Sequence, residues 1–316
     1  MSDTESKMRE ELARSRAVEV LGSDPVRFEN PLTVLASPAW RGIEGDIWRA
    51  SSNEQSIIIK HYHPDTSFYV EPGSAIEAAR QAGSLDVGPK VLRECVGDGI
   101  VAFENLSAPW RAGGLHDGVS SILRAKVIEL KKTFQLGAKL QKNVSIFDEI
   151  EALHAICASS GLPTHADIAV FASFFRDAKA KIWSLGRDLV PCHRDGNTAN
   201  IMVAPDHQVK LIDFDLAANC DPFEDIGCHL VEYYEAEPEA RAGFEEWYGQ
   251  FNEGLFQRSM LYGLADDMRW GLIGAIMAAR SPRRALEFSK YSAWRFIRLE
   301  MHAKNSHAND RIRVAA

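Results

Sequence analysis

The chain carries Cys192-His193-Arg194-Asp195-Gly196-Asn197-Thr198-Ala199-Asn200, then the apolar run Ile201-Met202-Val203, a turn at Pro205-Asp206-His207-Gln208, and a second run, Val209-Lys210-Leu211-Ile212, that ends in Asp213-Phe214-Asp215. This stretch constrains the fold more than any other. The two apolar runs and the intervening turn read as a β-hairpin. It holds a loop carboxylate and amide at one end and a second carboxylate at the other. Phosphoryl transfer needs that set of groups. One carboxylate accepts the proton of an attacking hydroxyl, and a carboxylate with an amide oxygen holds Mg²⁺, a hard cation that prefers oxygen. Asp195 and His193 are the candidate catalytic residues, with Asp195 as the base. Asn200 and Asp213 are the candidate metal ligands, and Asp215 is a second acidic group at the metal.

The stretch resembles the choline/ethanolamine kinase and aminoglycoside phosphotransferase superfamily, whose fold is similar to that of protein kinases. The resemblance runs from about residue 30 to about residue 300. It implies an α+β, protein-kinase-like two-lobe fold, with a small β-rich N-terminal lobe and a larger, mainly helical C-terminal lobe. The expected division is an N-terminal helical extension over 1–27, a nucleotide-binding lobe over 28–105 and a catalytic and acceptor-binding lobe over 106–316. His193-Arg194-Asp195 also spells the protein-kinase catalytic triplet. However, Asn197 stands where those enzymes usually carry Lys, Asp213-Phe214-Asp215 lacks their Gly, and no Ala-Pro-Glu follows. Asp221-Pro222-Phe223-Glu224-Asp225-Ile226 instead looks like the small-molecule kinases. There Asp225 would be structural, capping a helix that starts near Ile226.

The remaining pattern agrees. Short β runs are expected at Leu32–Leu35, Asp46–Ala50, Ser56–Tyr62, Lys90–Leu92 and Gly99–Phe103, with a helix from Ser74 to Ala82 between them. Lys60, on the strongest run, is placed to pair with the α and β phosphates of ATP. Its expected partner is Glu77 on the inserted helix, with Glu71 as the alternative. Gly42 and Gly45, between the first two runs, would let backbone amides approach phosphate. Glu104 and Leu106 would offer backbone groups to adenine.

The C-terminal part carries the acceptor side of the resemblance. His229-Leu230-Val231-Glu232-Tyr233-Tyr234, Arg269-Trp270-Gly271-Leu272-Ile273 and Lys290-Tyr291-Ser292-Ala293-Trp294-Arg295-Phe296 are similar to segments of choline and ethanolamine kinases. A quaternary ammonium donates no hydrogen bond, so aromatic faces and a carboxylate must hold it. Trp270 and Tyr291 would supply the faces and Glu232 the charge. Ile273 stands where the family has a second Trp, so choline itself is one option beside ethanolamine and other amino alcohols.

Composition narrows the partners. The 316 residues are 46% hydrophobic and 25% charged, with a net charge of −8, which disfavours a nucleic-acid binder. Cys95, Cys157, Cys192, Cys220 and Cys228 form no Cys-x-x-Cys pair and read as reduced thiols of a cytoplasmic protein. No segment is long and apolar enough to span a membrane. The expected function is ATP- and Mg²⁺-dependent phosphorylation of the hydroxyl of a small cationic amino alcohol. Aminoglycoside or sugar phosphorylation is the alternative within the class. A catalytically weak nucleotide-binding module is the alternative outside it, and Lys60, Asp195, Asn200 and Asp213 all speak against that one.

Overall fold

The structure is a computed structural model that describes residues 3–37, 39–305 and 308–316. Helix α1 (Asp3–Leu21) leads into β1 (Arg27–Glu29), β2 (Gly45–Ser51), β3 (Ser56–Tyr62), helix α2 (Pro72–Ser84), β4 (Val91–Cys95) and β5 (Ile100–Glu104). The five strands form one antiparallel sheet in the order β1-β2-β3-β5-β4. The β-branched run Ile57-Ile58-Ile59 suits a central strand, and β3 is covered on both faces. On the outer face Ala13 and Ala17 of α1 let that helix lie close against Trp48, Ile57, Ile59 and Ile100. On the inner face Val101 and Tyr62 pack on Ala75 and Ile76 of α2. Pro72 begins α2 at a position where a missing N–H costs nothing.

One expected strand is absent. Leu32–Leu35 makes only a bridge from Leu35 to Arg41, and the edge strand lies earlier, with Arg27 paired to Ser51 and Glu29 to Arg49. The physical reason is burial. Val34, Ala36 and Trp40 pack into the core of the helical lobe, so this apolar segment leaves the sheet edge for a better-covered surface.

The second lobe holds β6 (Arg111–Ala112), α3 (Leu115–Gly118), α4 (Ser121–Gln135), α5 (Ile146–Ser159), α6 (Ile168–Leu185), β7 (Val190–Cys192), β8 (Ile201–Ala204), β9 (Gln208–Leu211) and β10 (Ala218–Cys220). It ends in α7 (Pro222–Tyr233), α8 (Glu237–Tyr248), α9 (Glu253–Arg280), α10 (Phe288–Asn305) and α11 (Ala308–Val314). β8 and β9 are the expected hairpin, with Met202 opposite Lys210. Helix α9 is buried on all sides from Phe256 to Met277. Its charged residues are tolerated because they are paired, as Arg258 is with Asp221 and Arg269 with Asp266. The result is the two-lobe α+β architecture. Among the described residues no helix is long and apolar enough to cross a membrane.

Candidate active site

The loop between β7 and β8 is fixed from below. Asp225 sits inside α7, fully buried, and its carboxylate accepts from the backbone amides of His193 (3.2 Å) and Arg194 (3.0 Å). Lys131 of α4 donates to Asp225 (2.9 Å) and to the carbonyl of Asp195 (2.8 Å). Burial works against the Asp225 charge, but Lys131 outweighs it and the pKa falls below the usual carboxylate range. Asp225 therefore holds the loop between β7 and β8 and does not cap the helix. The cap is Asp221, which accepts from the Phe223 amide, and α7 starts at Pro222 rather than near Ile226.

Arg194 has a left-handed backbone (φ 64°), which is uncommon for a residue with a side chain. Its guanidinium compensates by donating to Glu224 (2.6 Å), Glu149 (2.5 Å) and the Leu216 carbonyl (2.9 Å). Gly196 is required by contact, because a Cβ there would lie 2.1 Å from the Cys228 carbonyl oxygen of α7. His193 is buried, with ring nitrogens 3.0 Å from the carbonyls of Asp195 and Ile212. It ties the loop to the hairpin end and does not face the cleft, which corrects its expected catalytic role.

Asp195 reaches the cleft. One of its oxygens accepts from the Asn197 amide (2.7 Å) and the other from Asn200 Nδ2 (2.9 Å). With its NH₂ turned to Asp195, Asn200 keeps its carbonyl oxygen without a partner among the described residues. Opposite lie Asp213 and Asp215. Lys60 Nζ bridges them at 2.8 and 2.6 Å, and Tyr62 donates to Asp215 at 2.9 Å. Glu44 completes a carboxylate triad, with one oxygen from each residue lying within 4.8 Å of the others. One ammonium cannot neutralise three carboxylates. Burial and the neighbouring Asp213 push Glu44 up to about 7. Burial and Asp213 likewise push Asp215 well above its usual value. Burial also opposes the Asp213 charge, but Lys60 holds Asp213 below the usual range. The site is short of positive charge, and its donors are all oxygen. Asp213 and Asp215, beside Glu44 and with Asn200 on the same cleft, present the oxygen donors that a hard divalent cation takes.

Trp40, Trp270, Tyr291 and Arg295 line the same cleft, together with Asp195, Asn197, Asn200, Asp213, Asp215 and Glu44. Trp270 and Tyr291 form its floor, with ring centroids 6.3 Å apart and at right angles. Both are also core residues, 4% and 2% exposed, so packing and cleft lining are served by the same rings.

Other expected residues lie elsewhere. Glu77 does not meet Lys60; its carboxylate accepts from the Gln141 amide (3.0 Å). Lys60 instead turns to the two acids across the lobe boundary. Glu71, the alternative, accepts from Ser74. Gly45 is needed because a Cβ there would lie 2.8 Å from the His61 carbonyl oxygen, and Gly42 because its φ is +65°. Both glycines thus have packing or backbone reasons of their own. The Glu104 side chain accepts from the Lys90 amide at the strand edge. Glu232 is engaged by Arg295 and Arg298, both at 2.7 Å. Although burial opposes its charge, Arg298 and Arg295 pull it down to about 2. It is not a free anion awaiting an ammonium. Trp40, Glu44 and Lys131 escaped sequence reading, and Arg295 entered it only within a segment similar to choline and ethanolamine kinases. An acidic residue inside a glycine-containing loop, Glu44, offered a signal among the first three.

Residues 147–261 match the model of a phosphotransferase enzyme family. No curated protein matches the sequence. Among solved structures, a choline/ethanolamine kinase family protein from Mesorhizobium loti is similar at a TM-score of 0.78 and 17% identity, over 96% of this chain and 98% of that one. The choline kinase LicA from Streptococcus pneumoniae is similar at 0.73 and 15%, over 94% and 99%. Spectinomycin phosphotransferase APH(9)-Ia, solved with ADP and spectinomycin, is similar at 0.59 and 14%, over 89% and 93%. The resemblance first met in residues 192–215 is borne out: residues 147–261 match the phosphotransferase enzyme family, and the fold is that of the choline/ethanolamine kinase and aminoglycoside phosphotransferase structures.

Proposed function

We propose that the protein transfers the γ-phosphoryl group of ATP to the hydroxyl of a small cationic amino alcohol of the choline or ethanolamine type. One observation carries this reading. A loop carboxylate, an all-oxygen set suited to a divalent cation and a floor of aromatic rings line a single cleft. Asp195, oriented by Asn197 and Asn200, takes the hydroxyl proton as the acceptor oxygen bonds to phosphorus and the bond to the β–γ bridging oxygen breaks. Lys60 places the phosphates. Asn200, Asp213 and Asp215 would hold Mg²⁺, whose chemistry when bound is to neutralise charge on the phosphates. Trp270 and Tyr291 present faces to the cationic head. The likeness to choline kinases supports this acceptor class, and the likeness to spectinomycin phosphotransferase keeps aminoglycosides in the comparison.

The test is an ATP-consumption screen over choline, ethanolamine, aminoglycosides and uncharged alcohols, run with the wild type and Asp195→Asn. The expected result is Mg²⁺-dependent turnover of an amino alcohol that falls by roughly two or more orders of magnitude in the variant, with ATP binding retained. Turnover of aminoglycosides alone would move the acceptor class. ATP binding without turnover of any acceptor would favour a binding module.

A further inference from the structure

The loop entering β2 reaches across the lobe boundary and is built into the acceptor side of the cleft. Arg283, just after α9, donates to the Ile43 carbonyl (2.8 Å) and is itself held by Asp65. The Trp40 ring lies 4.8 Å from Tyr291, 5.5 Å from Trp270 and 5.5 Å from Phe288. Its carbonyl lies 3.5 Å from Asn197 Nδ2 of the catalytic loop. Trp40 Nε1 (2.6 Å) and the Tyr69 hydroxyl (3.0 Å) both donate to Glu44 Oε1. Glu44 is 5% exposed, and Oε2 has no hydrogen-bond partner among the described residues. The nearby cation, Lys60, is taken by Asp213 and Asp215. A carboxylate held by two aromatic donors, with one oxygen left toward a cleft short of positive charge, is a place where a bound cation would favour the charged form.

We propose that Trp40 and Glu44 complete the acceptor pocket from the N-terminal lobe, Trp40 as a third aromatic face and Glu44 as the carboxylate partner, for an alcohol that carries an ammonium group. This rests on the proposed reaction and assigns its specificity to this chain's own loop. It also resolves two departures. Ile273 is fully buried and does not line the cleft, so it cannot supply the missing face. Glu232 is neutralised by two arginines, so it cannot supply the charge. Trp40 and Glu44 provide both from the opposite side.

The experiment compares dissociation constants for choline, ethanolamine and the neutral carbon isostere of choline, 3,3-dimethylbutan-1-ol, by calorimetry on the full chain. Glu44→Gln keeps shape and an acceptor oxygen for Trp40. Trp40→Leu removes the ring, and Trp40→Phe guards against loss of fold. The wild type should favour a cationic alcohol over the isostere by about ten-fold or more, and Glu44→Gln and Trp40→Leu should each reduce that preference by roughly ten-fold, with Trp40→Phe between. Mn²⁺ affinity, followed by electron paramagnetic resonance, should change less than choline affinity in Glu44→Gln. The inference is overturned if folded Glu44→Gln and Trp40→Phe both keep the full wild-type preference, or if the wild type shows none. It is equally overturned if Glu44→Gln loses Mn²⁺ and keeps choline. Cation preference without phosphate transfer to any alcohol would sink the proposed reaction and leave this pocket standing. Phosphoryl transfer to choline or ethanolamine with no binding preference over the isostere would do the reverse.

Discussion

Glu232→Gln separates two roles for one residue. Glu232 lies on α7, 12% exposed at its side chain, and one of its oxygens accepts from Arg295 and Arg298. Its pKa of about 2, against an ordinary 4.5, means the charged form is favoured in the fold. A shift of that size corresponds to about 3 kcal/mol at neutral pH. The sign follows from the lowered value: this stability is fully present above pH 4.5 and is lost as pH falls through about 2. The variant keeps shape and one acceptor oxygen, and both arginines retain Asp267 (3.0 and 2.7 Å). The loss should therefore be about 2–3 kcal/mol, toward the low end for breaking a buried pair. Urea unfolding, followed together by tryptophan fluorescence and circular dichroism, should show this loss at pH 7. The gap between variant and wild type should narrow as pH is lowered from 4.5. Acceptor binding should weaken only through the Arg295–Tyr291 hydrogen bond (2.9 Å). A variant with wild-type stability at pH 7 and a raised KM confined to cationic acceptors would refute the reasoning and return Glu232 to the acceptor pocket.

Three further outcomes are expected. Gly196→Ala should lose activity and at least 1–3 kcal/mol of stability, since its methyl group would collide with the Cys228 carbonyl and push the catalytic loop off α7; a fully active variant in turnover assays would show that the loop moves freely. In double-mutant cycles on kcat/KM, Lys60→Ala should couple to Asp215→Asn and be additive with Glu77→Ala, because Lys60 touches the first and not the second; the reverse pattern would restore the Lys60–Glu77 pair. Glu149 faces Arg194 and Arg269, and although burial opposes its charge these arginines hold it at about 2. Glu149→Gln should therefore destabilise the fold at pH 7 and lose that penalty between pH 4.5 and 2, as acid unfolding curves would record.

Much of the fold was written in short-range pattern. The hairpin Ile201–Leu211, the strand Ser56–Tyr62 and the helix Pro72–Ser84 follow from apolar periodicity and turn residues acting over a few positions. Asp195, Asn200 and Asp213 are legible for the same reason: they sit at fixed distances along one loop and one hairpin, so sequence spacing is nearly spatial spacing. Leu32–Leu35 misled because a buried apolar segment has the same composition whether it pairs in a sheet or packs on a helix.

The partners of charged and aromatic side chains were a different matter. Lys60 meets Asp213 across 153 positions, Arg295 meets Glu232 across 63, and the Trp40 ring meets Tyr291 from the other lobe. Residue type tells that Glu232 and Glu44 are both acids. Only the tertiary structure decides that two arginines neutralise the first and that the second keeps an oxygen free in the cleft. A charge in a low-dielectric interior takes its role from the nearest opposite charge, and in this chain that neighbour is set by how the two lobes close on each other.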